Sequence, residues 1–187
     1  MFEKLSTWCC IVGNSGIFSH ICHGNGTHAL LFTGIYEHAI DAKNRLSVPA
    51  EIRQLLRDNR TEGPRDSIYL YVTLGEGQAL CLYTEQDFER RAEQLDHSEL
   101  DADQLLEYER LMYSLANRVE MDKQGRIRLP EKLLNLSGLR SDVVLLGVKD
   151  HLEIHDRAGW QAHLKEMLDS KSQLLRMNPR RAMRGRE

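Results

Sequence analysis

The stretch Asp41-Ala-Lys-Asn-Arg-Leu-Ser-Val-Pro-Ala-Glu-Ile52 sets the architecture, because its pattern returns 81 positions later (122 minus 41). The second copy reads Asp122-Lys-Gln-Gly-Arg-Ile-Arg-Leu-Pro-Glu-Lys-Leu133. Asp, Arg and Pro occupy the same offsets in both copies, and apolar residues stand one, three and seven positions after each Arg. Two copies with so long a period are too few for a solenoid. The repeat therefore predicts a duplicated half-domain whose two halves pack on each other within one chain.

The residues after each copy follow a common order. Two apolar runs joined by a turn come first, at 68–83 and at 143–155, and a helical stretch follows each pair. Thr84 and Asp156 are suited to cap the N-termini of these helices, since their side chains accept hydrogen bonds from free backbone N–H groups. Before these runs, a short helix should begin at the Pro of each copy, with one apolar face formed by Ile52, Leu55 and Leu56 in the first copy and by Leu133, Leu134 and Leu136 in the second. We therefore predict a strand–turn–strand–helix–strand–strand–helix unit in each half.

Five segments follow from this pattern. Residues 1–31 have no counterpart before the second copy, and we expect a disordered leader or a mis-assigned start there. The first half should span 32–97 and the second 117–169, with a connecting helix over 98–116 that carries apolar residues at helical spacing. Residues 170–187 lose this periodicity and read as a basic tail.

The composition is that of an ordinary soluble chain with enough material for one compact unit. Of 187 residues, 41% are hydrophobic and 28% are charged, and no apolar run is long enough to span a bilayer. The net charge of −3 argues against a nucleic-acid binder. The charge is unevenly placed, however, because 85–109 carries −8 (ten acids, two bases) and 171–187 carries +5 (six bases, one acid). A local basic surface can bind phosphate whatever the total charge is.

The amino-terminal segment contains cysteines and histidines, which are possible ligands of a metal ion. Cys9, Cys10 and Cys22 lie near His20 and His23, but this spacing matches no closed zinc motif. The chain also lacks a glycine-rich phosphate loop, a His-Glu-x-x-His motif and a nucleophile beside a plausible base. We therefore expect no metal, no cofactor and no enzymatic activity.

The chemistry of the repeat lies in its Asp-x-x-x-Arg turns. Asn44 and Gly125 precede the two Arg residues and tolerate positive φ, so both turns should pass through a left-handed position. The Asp would accept hydrogen bonds from backbone N–H groups and could brace the Arg. One interpretation is that Asp and Arg only fasten the turn. The other is that a set of basic residues faces an anion, because the planar Arg fork matches phosphate or guanine. The candidate DNA-binding residues are Asp41, Lys43, Arg45, Arg53, Lys123, Arg126 and Arg128.

The motifs resemble those of a known family. Phe32-Thr-Gly34 leads into the first copy, Glu120-Met121 leads into the second, and Leu145-Leu-Gly147 precedes Leu152-Glu-Ile154. In this order, over about residues 32–169, the chain resembles the MraZ family within the AbrB/SpoVT-like group of bacterial transcription factors. The resemblance implies an α+β fold in which duplicated AbrB-like halves form a pseudo-two-fold β-barrel flanked by short helices.

The same resemblance carries expectations about function. It implies a ring-shaped homo-oligomer that binds direct repeats of double-stranded DNA in the promoter of the division and cell-wall operon. It further implies repression of that operon and a cytoplasmic, nucleoid-associated location without membrane attachment. By position, Asp41 would brace its turn, Lys43 and Arg45 would contact DNA, and Asp122 and Arg126 would be their equivalents.

Two other functions are kept as alternatives. The duplicated barrel could be a non-catalytic protein-interaction scaffold or an antitoxin-like module that grips a partner. An enzyme with Asp41 and Asp122 as paired carboxylates is disfavoured, because an Arg four residues after each Asp would hold it ionised.

Overall fold

A computed structural model describes residues 21–22, 28–59, 67–95 and 101–170 of the chain. Cys9, Cys10, His20 and His23 lie outside the described residues, as does the predicted basic tail beyond Ser170. The described part of the predicted leader holds two short antiparallel strands, β1 (Ile21–Cys22) and β2 (His28–Ala29).

The first half follows the predicted order of strands and helices. Its elements are β3 (Ile35–Ala39), β4 (Arg45–Ser47), α1 (Ala50–Asp58), β5 (Ile68–Leu74), β6 (Leu80–Thr84) and α2 (Glu85–Leu95). A short 3₁₀ turn, Glu76–Gln78, joins β5 to β6. Helix α3 (Ala102–Leu115) then leads to the second half.

The second half repeats that order. Its elements are β7 (Asn117–Met121), β8 (Arg126–Arg128), α4 (Glu131–Ser137), β9 (Asp142–Val148), β10 (His151–Asp156) and α5 (Arg157–Ser170). The predicted caps are confirmed, since the Thr84 hydroxyl accepts from Asp87 N at 3.1 Å and the Asp156 carboxylate accepts from Gly159 N at 2.8 Å. Gly138 ends α4 in the left-handed conformation at φ 67°.

Eight antiparallel strands form one sheet in the order β3-β9-β10-β6-β5-β7-β8-β4. A single bridge between Ile40 and Leu46 links the two edge strands, so the sheet is nearly closed into a barrel. The first strand of each half pairs with the third strand of the other half, β3 with β9 and β7 with β5. A pseudo-two-fold axis therefore passes between β4 and β8 on one wall and between β6 and β10 on the opposite wall. The predicted α+β fold with a duplicated barrel is confirmed.

The barrel interior is the main core. Its strands contribute fully buried side chains, among them Leu46, Leu80, Ile127, Leu145, Leu152 and Ile154. Each such side chain contributes about 1.5–3 kcal/mol through removal from water. A second, smaller cluster lies outside the barrel, where Phe88 of α2 and Met112 of α3 pack on Cys81 and Tyr83 of β6. Phe88 also stacks on Tyr71 with ring centroids 4.5 Å apart.

The buried face of α1 agrees with the sequence pattern, whereas α3 and α4 depart from it, and Leu111 of α3 is exposed although it has the spacing of the apolar face. Ile52, Leu55 and Leu56 of α1 are buried, as their spacing indicates. In α4 the sequence places Leu133, Leu134 and Leu136 on one apolar face, but Leu136 is 48% exposed. At about 100° per residue, the position that shares the face of Leu133 and Leu134 is Ser137, which is buried. None of the described helices is both long and apolar enough to cross a membrane.

Candidate nucleic-acid interface

The first Asp-x-x-x-Arg turn is built on the side chain of Asp41. Its Oδ1 accepts hydrogen bonds from the backbone N–H groups of Lys43 and Arg45, at 2.8 Å and 2.9 Å. The turn is closed by backbone hydrogen bonds from Asn44 N to Asp41 O and from Asp41 N to Arg45 O, both at 2.9 Å. Asn44 has φ 60°, so the predicted left-handed position is confirmed.

The second turn has the same construction. Oδ1 of Asp122 accepts from the backbone N–H groups of Gln124 and Arg126, both at 2.9 Å. Gly125 occupies the left-handed position at φ 78°. The sequence repeat thus corresponds to a repeat of hydrogen bonding atom for atom.

The second oxygen of each Asp braces its Arg. Oδ2 of Asp41 lies 2.7 Å from both Nε and Nη2 of Arg45. Oδ2 of Asp122 lies 2.9 Å from Nε and 2.7 Å from Nη2 of Arg126. Chiefly because of the Arg45 hydrogen bond, the pKa of Asp41 falls to about 2, and Arg126 lowers the pKa of Asp122 in the same way. Both carboxylates are therefore ionised at neutral pH.

The braced guanidinium groups are neither buried nor fully occupied. The side chains of Arg45 and Arg126 are 31% and 25% exposed. Within the described residues, Nη1 of each has no partner, which leaves at least two N–H donors on each Arg for a ligand. Each Asp thus fixes the Nε edge of its guanidinium group, and the N–H groups of the other edge can bind a ligand.

Strand pairing brings the two motifs together on one wall. In the β4–β8 ladder, Arg45 lies opposite Arg128 and Ser47 lies opposite Arg126. The pair between them, Leu46 and Ile127, points into the core and is fully buried. Alternation along each strand therefore places the three Arg residues and Ser47 on the outward face. Two rises of about 3.4 Å and one strand spacing of about 4.8 Å separate Arg45 from Arg126 by about 8 Å.

This outward face is a local concentration of positive charge. Residues 41–48 and 122–129 carry five bases and two acids, a net +3, although the whole chain carries −3. Like charges directly opposite each other in a ladder are destabilising, as for Arg45 and Arg128. A bound anion would relieve that repulsion.

Arg53 crosses from the first half to the second turn. Its Nη1 donates to the Gln124 carbonyl at 3.2 Å, and its guanidinium lies over Gly125. Its Nε is buried and has no partner in the described structure. The position 81 residues later is Leu134, so this contact occurs only once, from the first half to the second. Arg53 is therefore half-buried against the turn, whereas Lys43 and Lys123 are exposed.

All seven predicted residues gather around the β4–β8 ladder and its two turns. Sequence reasoning missed Ser47, which is exposed beside Arg45 and Arg126. The repeat could have indicated Ser47, because it occupies in the first copy the position that Arg128 occupies in the second. We use the term β4–β8 surface for Asp41, Lys43, Arg45, Ser47, Arg53, Asp122, Lys123, Arg126 and Arg128.

Comparison with known proteins places the chain in a family. The model of the family described as "MraZ protein, putative antitoxin-like" matches residues 31–107 and 112–180. Relatives named "Transcriptional regulator MraZ" include one from Kocuria rhizophila, 33% identical over 73% of this chain and 88% of the relative. The relative from Clostridium acetobutylicum is 30% identical over 74% and 91%, and that from Ligilactobacillus salivarius is 34% identical over 73% and 88%. These proteins are named as regulators of transcription and not as enzymes. Together with the duplicated barrel, the matches show that the chain belongs to the MraZ family.

Proposed function

We propose that this chain is a non-enzymatic, sequence-specific transcriptional regulator that binds double-stranded DNA through the β4–β8 surface. The observation that supports this most is the outward ladder, in which Arg45 and Arg128 lie opposite each other and Arg126 lies one step along. The names of the related regulators support the general activity.

Each residue type on the surface has its own role in this proposal. Asp41 and Asp122 are positioning residues, because each holds the Nε edge of its Arg. The remaining N–H donors of Arg45 and Arg126 bind phosphate oxygens or base edges. Lys43 and Lys123 add exposed charge beside the turns. Because the pseudo-two-fold axis passes through this ladder, both halves contribute to the same contact.

Arg53 has a mixed role. Its contact with Gln124 and Gly125 restricts its side chain, so it supports the second turn as well as adding charge. Its unpartnered, buried Nε indicates that the guanidinium is held by shape more than by hydrogen bonding.

We further propose that the regulator works as a ring-shaped homo-oligomer on short direct repeats, as a repressor of a division and cell-wall operon at the nucleoid in the cytoplasm. One β4–β8 surface, with a net charge of +4 (six bases, two acids), gives limited affinity, since a good bidentate base contact supplies about 1–3 kcal/mol of discrimination. Several identical surfaces on spaced repeats would raise avidity by about 10²–10⁴. Exposed apolar residues such as Ile35 on β3 and Val148 on β9 offer area for subunit contacts. Sedimentation of the intact chain should give an oligomer mass, and a monomer at working concentration would contradict this part.

The DNA-binding test uses single charge removals. We expect Arg45→Ala, Arg126→Ala and Arg128→Ala each to weaken binding to a duplex carrying the upstream repeats by about tenfold or more. Each should also reduce the salt slope of log K by about 0.9 for every lost phosphate contact. Arg110→Ala is the matched control, because it removes an exposed Arg from α3, which packs on β5.

The outcome separates the candidate functions. Selective loss in the three variants, with Arg110→Ala unchanged, supports the β4–β8 surface. Equal loss of affinity in all four variants would show that binding depends on net charge alone, which would contradict a local contact. If the wild-type chain fails to bind the duplex at low salt, the protein-interaction scaffold becomes the better hypothesis.

A further inference from the structure

The wall opposite the β4–β8 surface carries a cluster of three metal-ligating side chains. Cys81 of β6 lies directly opposite Glu153 of β10 in the strand register, and His151 precedes Glu153 by two positions on the same face. One ligand atom from each of the three lies within 4.8 Å of the other two. His151 Nε2 and Glu153 Oε1 are 3.2 Å apart.

The duplication explains where the cluster lies. Equivalent positions of β6 and β10 differ by 72, and Cys81 and Glu153 (153 minus 81) are such a pair. They therefore face each other across the pseudo-two-fold axis, on the wall of the barrel opposite the β4–β8 surface. His151 corresponds to Ala79, so the third member of the cluster occurs in the second half alone.

We propose that Cys81, His151 and Glu153 bind one Zn²⁺ ion that bridges the two halves of the chain. Thiolate sulfur, imidazole nitrogen and carboxylate oxygen are the donor types that Zn²⁺ takes in proteins, whereas Mg²⁺ and Ca²⁺ take oxygen. Zinc–ligand distances of about 2.0–2.3 Å require tetrahedral ligand atoms to be about 3.5 Å apart. The spacing within the cluster meets that need after small side-chain movements, and water completes the fourth position.

The neighbouring groups hold the ligands in a suitable orientation. Nδ1 of His151 lies 2.8 Å from Asp150 Oδ1, so the N–H on that side is engaged and Nε2 can carry the lone pair for a metal. The ring of Tyr83 stacks on His151 with centroids 4.9 Å apart. His155 Nε2 lies 2.8 Å from Glu153 Oε2, which fixes the carboxylate. Asp150, Tyr83 and His155 are thus positioning residues of the proposed site.

A bound cation also suits the charge of the cluster. Both ring nitrogens of His151 lie beside carboxylates, which favours a positive charge between Asp150 and Glu153. Zinc binding replaces the proton on Nε2 and the thiol proton of Cys81 by one divalent ion, and both protons go to solvent. The side chains of His151 and Glu153 are 13% and 24% exposed, so an ion can reach them. This proposal departs from our sequence-based expectation of no metal, and it does not depend on the proposed DNA binding.

The experiment uses Co²⁺ as a spectroscopic substitute for Zn²⁺. The parent protein is the full chain with Cys9→Ser, Cys10→Ser and Cys22→Ser, so that Cys81 is the single remaining thiol. We expect one equivalent of Co²⁺ to produce a thiolate-to-cobalt charge-transfer band, and Zn²⁺ to displace it. Cys81→Ala should abolish the band, and Glu153→Gln and His151→Gln should weaken binding at least tenfold. Asp150→Asn, which removes no ligand but changes the charge and the group beside Nδ1 of His151, should weaken it about 10- to 100-fold.

His38→Gln is the matched control, because His38 lies on β3 away from the cluster. It should leave the band and the affinity unchanged. Circular dichroism of every metal-free variant establishes whether it is folded. If Cys81→Ala does not fold, the near-isosteric Glu153→Gln still tests the site. No band in the folded parent, or equal affinity in parent and Glu153→Gln, would overturn the proposal.

Discussion

Gly125 is the position where backbone conformation and the packing of Arg53 meet, and Gly125→Ala tests both. Gly125 has φ 78°, a conformation that costs an L residue about 1–2 kcal/mol. A Cβ there would also occupy the space of the Arg53 guanidinium and its Cδ. We expect the substitution to lower the free energy of unfolding by about 2 kcal/mol.

The expected loss of stability in Gly125→Ala has two contributions, and a control variant measures the first of them alone. Gly77 also has positive φ, at 63°, but nothing lies within 4 Å of a Cβ built there. Gly77→Ala therefore measures the backbone cost alone, about 0.5–1 kcal/mol after the gain from a less flexible unfolded chain. The further loss at Gly125 is the displaced Arg53 and its hydrogen bond to Gln124, about 1 kcal/mol.

Urea unfolding of four proteins measures this coupling: the wild type, Gly125→Ala, Arg53→Ala and the double variant. We expect Gly125→Ala to cost about 2 kcal/mol in the wild type and to match Gly77→Ala once Arg53 is removed. In thermal unfolding, each kcal/mol corresponds to about 2–4 °C. If Gly125→Ala costs the same with and without Arg53, the packing of that side chain against the turn has no energetic consequence and the reasoning fails.

Three further predictions concern the turn, the outer cluster and the helix surface. The depressed pKa of Asp41 stabilises the fold above the ordinary pKa of 3.8, and this stability is lost as the pH falls towards about 2. Carboxyl NMR titration should show the low pKa, and Arg45→Ala should return it towards 3.8. An unchanged pKa in that variant would show that Arg45 is not the cause. Phe88→Ala should cost about 3–5 kcal/mol in urea unfolding, since the ring is buried and stacks on Tyr71; a loss below 1 kcal/mol would contradict that packing. Leu111→Ala should change stability by less than about 0.5 kcal/mol in the same assay, because Leu111 is 60% exposed, and a larger loss would show that it is covered.

The sequence predicted the parts of the fold that depend on neighbouring residues. The left-handed positions of Asn44 and Gly125 were predictable because few residue types tolerate positive φ. The Asp brace was predictable because a short acidic side chain at the head of a tight turn reaches the following N–H groups. The caps at Thr84 and Asp156 have the same local origin.

Features that depend on strand register could not be predicted from the sequence. That Arg45 lies opposite Arg128, and Cys81 opposite Glu153, follows from pairing between residues more than 70 positions apart. The contact of Arg53 with the second turn likewise joins one half to the other. The exposure of Leu136 shows a further limit, since a seven-residue helix carries too few apolar residues to define its buried face.

The face presented to DNA can be identified by photo-crosslinking from two exposed positions. Ser47 stands among the arginines of the β4–β8 surface, whereas Gln161 stands on α5, which packs on β9 and β10. Each residue would be replaced in turn by p-benzoylphenylalanine in the full chain, and the protein irradiated with promoter duplex. We predict covalent protein–DNA adducts from position 47 and none from position 161. Adducts from position 161 alone would contradict the assignment of the DNA-binding surface.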